Sequence, residues 1–257
     1  MIRVFSFVGS CAGENSNTVK LSDDLAEAFR EVAEAAGEEV AYERMTGAEL
    51  HVDYCRSCTS CFSKGFCPLD KTDDMLKLKE KMKECDVLLF GSPVYLWEMS
   101  GITKSVLDRI SYWSHRFDLL GKPCAVFTST DTSHGAEVAD NLCRLMALMG
   151  AIAFDAAHQT QKERSDPERF RQTLRESAEH LLELYRNPTS GITDFQQRVF
   201  FSRVYINRKL LLQAARNGDE VPYEVRVCEE RGINRYVLMS EAVEAMRASE
   251  EEESVKK

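Results

Sequence analysis

The sequence has no long uncharged apolar run, and this absence excludes two classes of protein. No window approaches the roughly eighteen apolar residues that a membrane-spanning helix needs. The opening stretch MIRVFSFVGS is only briefly apolar and has no small-residue cleavage site of the kind that marks a secretory signal. We therefore expect a cytoplasmic protein with no membrane partner.

Positive charge is also scarce. The formal net charge is −9 and the isoelectric point is near 5.2, whereas nucleic acids bind basic patches that displace their counterions. We therefore expect no nucleic-acid partner. Hydrophobic residues make up 44% of the chain and charged residues 29%, which is ordinary for a folded globular protein.

Two common nucleotide-binding motifs are missing, G-x-x-x-x-G-K-[ST] and G-x-G-x-x-G, and no internal repeat is visible. Instead, apolar runs alternate with segments of helical spacing. The predicted strands are 2–8, 38–45, 86–95, 123–130 and 151–157, and the predicted helices are 18–36, 75–82, 100–110, 135–149 and 166–185. This alternation predicts an α/β domain over residues 1–186, with a doubly wound, five-stranded parallel sheet.

Residues 187–257 depart from this rhythm. The pattern predicts a long helix at 193–216, short strands at 222–228 and 233–238, and a last helix at 240–249. We expect a mainly helical extension that packs on the core or serves as an oligomerisation arm. We assign its aromatic cluster to packing rather than to ligand binding; the cluster consists of Phe195, Phe200, Phe201 and Tyr205.

The loop after the first strand, GSCAGENSNT (9–18), is small and polar and ends where a helix begins. In open parallel sheets, ligands bind at the carboxyl ends of the strands, and unpaired N–H groups at a helix N-terminus attract phosphate. The loop therefore suits either a phosphate or a plain helix cap. The side chains that can donate to a phosphate are Ser10, Ser16, Asn17 and Thr18.

Two further loops lie at the same predicted edge. In GSPVYLWEMSG (91–101), Pro93 fixes the backbone and Tyr95 and Trp97 offer flat faces to a heteroaromatic ring, although a hydrophobic lid would look similar. In TSTDTSHGAE (128–137), hydroxyl and amide groups could reach the same ring. We assign His134 to solvent or to a helix cap, and we predict no catalytic side-chain acid or base. A phosphate loop with two ring-facing loops describes a mononucleotide site, for which FMN is the natural occupant.

With these loops the sequence resembles the flavodoxin-like NAD(P)H-dependent FMN reductases, and among them the iron-sulfur flavoproteins, over residues 1 to about 185. The resemblance rests on the first and third-strand loops, on a cysteine cluster followed by KTDDM (71–75), and on KSVLDR (104–109). It implies a flavodoxin-like fold, FMN held by Ser10, Ser16, Asn17 and Thr18, and a homodimer or homotetramer. It also implies that Pro93, Val94, Tyr95 and Leu96 line the isoalloxazine. The loop after strand four departs from the family's usual glycine-rich segment, and there we expect Thr130 and Ser133 at the ring edge.

The cysteine loop, residues 54–67, carries four of the nine cysteines in the spacing C-x2-C-x2-C-x5-C, followed by Pro68. The predicted ligands are Cys55, Cys58, Cys61 and Cys67. This spacing is close to the ferredoxin pattern and fits a [4Fe–4S] cluster, whereas structural zinc usually takes two separated cysteine pairs. Unligated thiols, zinc and a redox disulfide remain alternatives. The other cysteines, which we predict to be small core residues, are Cys11, Cys85, Cys124, Cys143 and Cys228.

Three functions are compatible with these features. The first is an FMN-dependent oxidoreductase that uses NAD(P)H to reduce a small acceptor such as a quinone, a nitro or azo compound, or free flavin. The second is an electron carrier whose [4Fe–4S] cluster receives electrons from a ferredoxin-like donor. The third is a zinc-stapled interaction module without flavin.

Overall fold

The structure is a computed structural model that describes the backbone of residues 1–255, so residues 256 and 257 of the predicted extension lie outside the described residues. The strands are β1 (Ile2–Val8), β2 (Val40–Thr46), β3 (Val87–Tyr95), β4 (Glu98–Met99), β5 (Pro123–Ser129) and β6 (Ile152–Gln159). The helices of the sheet region are α1 (Asn17–Ala35), α2 (Ser60–Ser63), α3 (Met75–Glu84), α4 (Gly101–Ile110), α5 (Trp113–Arg116), α6 (Gly135–Leu148), α7 (Gln161–Ser165) and α8 (Pro167–Arg186). Those of the extension are α9 (Asp194–Asn217), α10 (Tyr223–Glu230) and α11 (Met239–Val255).

The sheet has the order β2-β1-β3-β5-β6, with all neighbours parallel. The short β4 lies off this path and pairs antiparallel with the end of β3. The predicted doubly wound sheet is thus confirmed, and its order is the flavodoxin-like one, in which strand order reverses between β1 and β3. The carboxyl ends of β1 and β3 therefore border the crevice where a ligand of this fold binds.

Both faces of the sheet are covered because side chains of successive strand residues point to opposite sides. On one face, Leu25 and Phe29 of α1 and Leu181 of α8 pack against β1, β3 and β5. On the other face, Leu78 of α3 and Val106 of α4 belong to a second cluster, with α6. Burial on both faces explains why the strands read as continuous apolar runs.

The extension is helical and packs on the sheet region. Phe200 and Val204 of α9 are buried with Phe117 and Ile152 of the sheet region, and the Gln196 side chain donates a 2.7 Å hydrogen bond to the Ala151 carbonyl. The division at residue 186 stays a prediction, because one apolar cluster spans residues on both sides of it.

The short strands predicted at 222–228 and 233–238 are wrong. Residues Tyr223–Glu230 form a helix and Ile233–Arg235 a 3₁₀ turn. The alternation of valines in YEVRVCEE is typical of a strand, but the side chains that become buried, Val225 and Cys228, are three residues apart. An isolated two-stranded ribbon has little stability, so packing against α9 decides in favour of a helix.

Two predictions about burial are also wrong in part. Of the four aromatic residues assigned to packing, only Phe200 is buried, whereas Phe195, Phe201 and Tyr205 are exposed. Of the cysteines predicted in the core, Cys85, Cys124 and Cys228 are buried, Cys143 is half-buried and Cys11 is exposed. Cys11 lies in the loop after β1, where the chain turns over the edge of the sheet and leaves short side chains in solvent.

Candidate functional site

The three loops predicted from the sequence meet at the reversal point between β1 and β3. Gly9 donates a backbone hydrogen bond of 2.8 Å to the Gly91 carbonyl, which joins the first loop to the second. The Thr18 and Ser129 hydroxyls lie 2.5 Å apart and join the start of α1 to the end of β5. The structure thus brings the first loop into direct contact with both of the others.

The first loop presents the N-terminus of α1 at this edge. Ser16 caps the helix, since its hydroxyl accepts a 3.4 Å hydrogen bond from the Val19 backbone N–H. Ser10, Ser16 and Thr18 are buried and Asn17 is exposed. Backbone N–H groups in the first turn of a helix lack intrahelical partners and carry partial positive charge, so this end of α1 fits a phosphate group. The Thr18 hydroxyl already bonds Ser129, which makes Thr18 a tie between loops as well.

Beneath the first loop lies a network of buried hydroxyls that sequence analysis missed. The Ser100 hydroxyl donates to the Gly9 carbonyl at 2.5 Å, and the Thr103 hydroxyl donates to Ser92 at 3.1 Å. A Cβ atom at Gly9 would lie 1.7 Å from the Thr103 oxygen. Only glycine at position 9 allows α4 to approach the loop this closely. The pattern S-x-x-T at the start of α4 signals a helix cap, but it does not reveal this contact with Gly9.

The second loop ends in a strained, exposed turn. Residues Leu96 and Trp97, which link β3 to β4, have φ angles of 49° and 67°. Such angles cost non-glycine residues of order 1 kcal/mol each and are often found at functional sites. Pro93 is buried and Val94 half-buried, whereas Tyr95, Leu96 and Trp97 are 58%, 96% and 69% exposed. The turn therefore projects apolar and aromatic side chains into solvent.

An aromatic stack joins the second loop to the third. The rings of Trp97 and His134 have centroids 4.3 Å apart and an interplanar angle of 17°. His134 has a φ angle of 67° and immediately precedes α6, and its Nδ1 lies 2.7 Å from the Ser133 hydroxyl. The sequence assignment of His134 to solvent or to a cap missed this stack. It could not have been found from spacing, because the two residues come from different loops.

Thr130 and Ser133 belong to the third loop, and their contacts differ. The Thr130 carbonyl accepts from Arg164 at 3.2 Å, and Arg164 pairs with Asp131, so α7 holds the start of the third loop. Ser133 is exposed beside His134. The contact with His134 places Ser133 close to the stacked rings.

The cysteine loop leaves the same edge of the sheet after β2, the neighbour of β1. Gly47, at the end of β2, packs against the first loop, because a Cβ there would lie 3.1 Å from the Ser10 carbonyl oxygen. The Cys11 thiol donates to the Gly47 carbonyl at 3.5 Å. The predicted phosphate loop therefore contacts the start of the segment that leads from β2 into the cysteine loop.

The four predicted ligands differ in their surroundings. Cys55 and Cys58 are exposed, Cys61 is half-buried and Cys67 is buried. Burial raises the pKa of the Cys61 thiol, and the nearby Cys67 and Cys55 thiols raise it further. Hydrogen bonds from Ser60 lower the pKa of Cys58. The pKa values of Cys61 and Cys58 are thus shifted in opposite directions.

Four thiols on one short loop fit a [4Fe–4S] cluster by the chemistry of the donor set. Their placement is not that of a closed metal site: within residues 1–255, no three histidine, cysteine or acidic side chains converge as ligands. Binding a cluster would require the loop to bring the four thiols together. Ser57 and Thr59, on either side of Cys58, have φ angles of 52° and 56°. This strained backbone is the segment that would change conformation.

A buried charged cluster closes the stem of the cysteine loop. The Arg109 side chain, which is fully buried, pairs with Asp73 and bonds Asp70 at 2.7 Å and the Asp53 carbonyl at 2.9 Å. Lys79 bonds both oxygens of Asp70, at 2.9 and 2.8 Å. These contacts hold the residue before the loop, Asp53, against the residues after it. Arg109 ends the KSVLDR segment and Asp73 lies in KTDDM, so the two segments behind the family resemblance meet here.

The charge state of this cluster follows from its contacts. Burial opposes ionisation of Asp73, but hydrogen bonds from Arg109 and from the backbone N–H groups of Asp53 and Met75 outweigh it and hold the pKa of Asp73 below its usual value. Asp73 is therefore a carboxylate at neutral pH, paired with a permanent cation.

Two cavities lie outside the three loops. The larger, about 530 Å³, runs along the edge strand β6 beside α7 and α8, and none of the predicted cofactor or metal residues lines it. The smaller, about 400 Å³, lies between α2 of the cysteine loop and the start of α10.

Among the described helices, none is long and apolar enough to cross a bilayer.

Comparison with known proteins places the sheet region in a family. Residues 2–161 match the profile of a family described as NADPH-dependent FMN reductase. An iron-sulfur flavoprotein of Archaeoglobus fulgidus is 30% identical over 102 residues, which cover 39% of this chain and 46% of that protein. One of Methanocaldococcus jannaschii is 33% identical over 109 residues, covering 42% and 51%. The matched stretch thus spans about half the length of these relatives.

Among solved structures, RosB with a bound intermediate, 8-demethyl-8-formylriboflavin-5'-phosphate, superposes with a TM-score of 0.57. The match covers 86% of this chain and 88% of RosB at 14% sequence identity. At this identity the likeness shows the fold alone. It extends beyond the residues that the family profile matches.

Proposed function

Because the chain belongs to the NADPH-dependent FMN reductase family, we propose that it binds FMN at the β1/β3 reversal point and uses NAD(P)H to reduce a small acceptor. The acceptors proposed are a quinone, a nitro or azo compound, or free flavin. The observation that carries this proposal is that the loop leading into α1, which suits a phosphate, bonds β3 through Gly9 and Gly91, and that β3 ends in the exposed Tyr95–Trp97 turn, which suits a planar ring.

The residues would divide the work of binding. The first turn of α1, with Ser10, Ser16 and Asn17, would hold the phosphate, and Thr18 would keep this turn against β5 through Ser129. The ring would lie along Pro93, Val94, Tyr95 and Leu96, with Thr130 and Ser133 at its edge. When bound, FMN supplies the redox chemistry between NAD(P)H and the acceptor, while the protein binds and orients it. No side-chain acid or base is needed in this proposal.

Flavin titration of a double variant tests the assignment. Replacing Ser10 and Asn17 by alanine removes two donors from the phosphate loop, so the dissociation constant for FMN should rise at least tenfold, about 1.4 kcal/mol. The matched control replaces Ser249 and Asn217, which are exposed on α11 and α9 of the extension, and should bind FMN as the parent does. Unchanged FMN affinity in the Ser10/Asn17 variant would refute the phosphate assignment.

A second candidate function is electron transfer through a [4Fe–4S] cluster on Cys55, Cys58, Cys61 and Cys67, with a ferredoxin-like donor. The four free thiols on one short loop, and the buried ion pair of Arg109 with Asp73 beside that loop, favour it. The names of the curated relatives agree with it.

One preparation separates the two functions. Anaerobically purified protein is analysed for flavin, iron, zinc and acid-labile sulfide on the same sample. Flavin with iron and sulfide near four per chain supports the carrier, since that is the content of one [4Fe–4S] cluster. Flavin alone supports the reductase with free thiols, and zinc without flavin supports a stapled interaction module.

We also propose that the extension contributes to a homodimer or homotetramer. The exposed side chains of α9 include Phe201, Tyr205 and Leu212, at 51%, 62% and 60% exposure. Large apolar side chains in an exposed row are typical of protein interfaces. The cytoplasmic location stays a prediction.

A further inference from the structure

The C-terminal extension contacts the cysteine loop directly, although the family match ends at residue 161. The first residue of α10, Tyr223, packs its ring on Gly65, between Cys61 and Cys67. A Cβ atom at Gly65 would lie 2.1 Å from Cζ of Tyr223 and 2.3 Å from its hydroxyl oxygen. Gly65 also has a φ angle of 81°, which favours glycine. The tip of the loop therefore has no side chain where the tyrosine ring rests.

A second chain of contacts runs parallel to the first. Phe62, next to Cys61, packs edge-to-face on His115 of α5, with ring centroids 4.9 Å apart. His115 Nδ1 lies 3.1 Å from a carboxylate oxygen of Glu224 in α10. The Cys228 thiol of α10 donates to the His115 carbonyl at 3.4 Å. Two residues between Cys61 and Cys67, namely Phe62 and Gly65, are thus connected to α10.

The helix α10 is itself firmly held. Val225 and Cys228 are buried. The Asn234 side chain accepts from Asn207 of α9 at 3.0 Å and donates to the Val225 carbonyl at 3.5 Å. Because α10 is anchored to α9, and α9 to the sheet region through Phe200, Tyr223 presses on Gly65 from a fixed support rather than from a free tail.

We propose that Tyr223 is a positioning residue for the cysteine loop, so that the C-terminal extension fixes the placement and accessibility of Cys61 and Cys67. The stem of the loop is closed by Arg109 from the sheet region, and its tip is held by Tyr223 from the extension. The cavity of about 400 Å³ beside Phe62 and Tyr223 leaves room for the tip to move once the ring is removed.

The test measures the reactivity of individual thiols in the full-length, metal-stripped protein. Short pulses of iodoacetamide, followed by mass spectrometry, give an alkylation rate for each cysteine. Tyr223→Ala should accelerate alkylation of Cys61 and Cys67 several-fold and leave Cys85 and Cys124, in the core, as slow as before. Tyr223→Phe keeps the ring and should behave as the parent does.

A double-mutant cycle assigns the effect to the contact itself. Gly65→Ala should force the Tyr223 ring away and accelerate the same two thiols. In the Tyr223→Ala background, Gly65→Ala should add little, apart from backbone strain, because the clashing ring is gone. Equal effects of Gly65→Ala in both backgrounds, or unchanged Cys61 and Cys67 rates in Tyr223→Ala, would overturn the proposal.

Only one arm of the test rests on the proposed carrier function. If the loop holds a cluster, Tyr223→Ala should lose iron to a chelator faster than the parent while its flavin content stays constant. If the protein binds no iron, the carrier function fails, and the thiol rates still decide on Tyr223. The two failures are therefore distinguishable.

Discussion

Arg109 and Asp73 form an ion pair in which neither side chain has any exposed surface. The pair joins α4 to the segment just after the cysteine loop, across 36 positions of the sequence. Arg109 also bonds Asp70 and the Asp53 carbonyl, so one guanidinium meets the chain both before and after the cysteine loop. The sheet region and the cysteine loop are thereby connected by charge as well as by apolar packing.

Removing this guanidinium should destabilise the protein strongly. Arg109→Met leaves Asp73 buried without its cation, and breaking such a pair typically costs about 3 to 5 kcal/mol. Urea unfolding measures the loss. The control is Lys104→Ala on the same helix, which removes an exposed pair with Asp108 and should cost less than about 0.5 kcal/mol. A cost for Arg109→Met as small as the control's would show that the buried cluster does not hold the stem.

The dependence of stability on pH should follow the carboxylates whose pKa is depressed. Asp86 accepts from the backbone and the side chain of Arg3, at 2.8 and 2.7 Å. Burial opposes its ionisation, but these bonds outweigh burial and lower the pKa of Asp86. Since the unfolded-state pKa is higher, Asp86 contributes stability that is present above about pH 4 and is lost as pH falls through the folded-state pKa.

This expectation is checked by measuring the free energy of unfolding between pH 7 and pH 3. Asp86→Asn should be less stable than the parent at pH 7 and should approach it at pH 3, because the carboxylate no longer contributes there. Parallel curves for the two proteins at all pH values would contradict the assignment of acid sensitivity to Asp86.

Features that depend on neighbouring residues could be predicted from the sequence, whereas contacts between distant segments could not. The parallel strands were predictable because strands buried on both faces leave unbroken apolar runs, such as DVLLFGSPVY. The ion pair of Arg109 with Asp73 and the stack of Trp97 on His134 join distant segments, and no local sequence pattern predicts such pairs. In α10, the alternation of Val225 and Val227 predicted a strand, but packing on α9 selected the helical face with Val225 and Cys228.

Gly9 should be required for the phosphate loop. Gly9→Ala places a Cβ 1.7 Å from the Thr103 oxygen, so the loop or α4 must move and the Ser100 hydrogen bond to the Gly9 carbonyl should weaken. We expect lower FMN affinity, measured by titration, together with lower stability. Gly101→Ala is the control, since a Cβ there meets no atom within 4 Å. The double variant Gly9→Ala/Thr103→Ala should bind FMN more tightly than Gly9→Ala alone, because the clashing hydroxyl is gone. Equal affinities would show that the clash with Thr103 does not cause the loss.

The Trp97–His134 stack should report on flavin binding. The chain has two tryptophans; Trp113 is fully buried and Trp97 is exposed. Iodide should therefore quench Trp97 only, and a flavin ring over the turn should protect it. We expect iodide quenching in the flavin-free parent, weaker quenching with saturating FMN, and almost none in Trp97→Phe. Quenching that FMN leaves unchanged would indicate that the ring binds away from Trp97.

Two adjacent phenylalanines in α9 allow the stability of the subunit and its self-association to be tested separately. Phe200 is fully buried with Phe117, at a ring centroid distance of 5.3 Å, whereas Phe201 is 51% exposed. Phe200→Ala should therefore lower the free energy of unfolding by about 3 to 5 kcal/mol. Phe201→Ala should leave the stability of the subunit nearly unchanged but weaken self-association if α9 forms the proposed interface. Denaturant unfolding at low protein concentration and analytical ultracentrifugation measure the two effects. If neither Phe201→Ala nor Tyr205→Ala changes the oligomer, the exposed face of α9 is not part of the interface. The role of α9 would then be to hold α10 against the sheet region through its buried face.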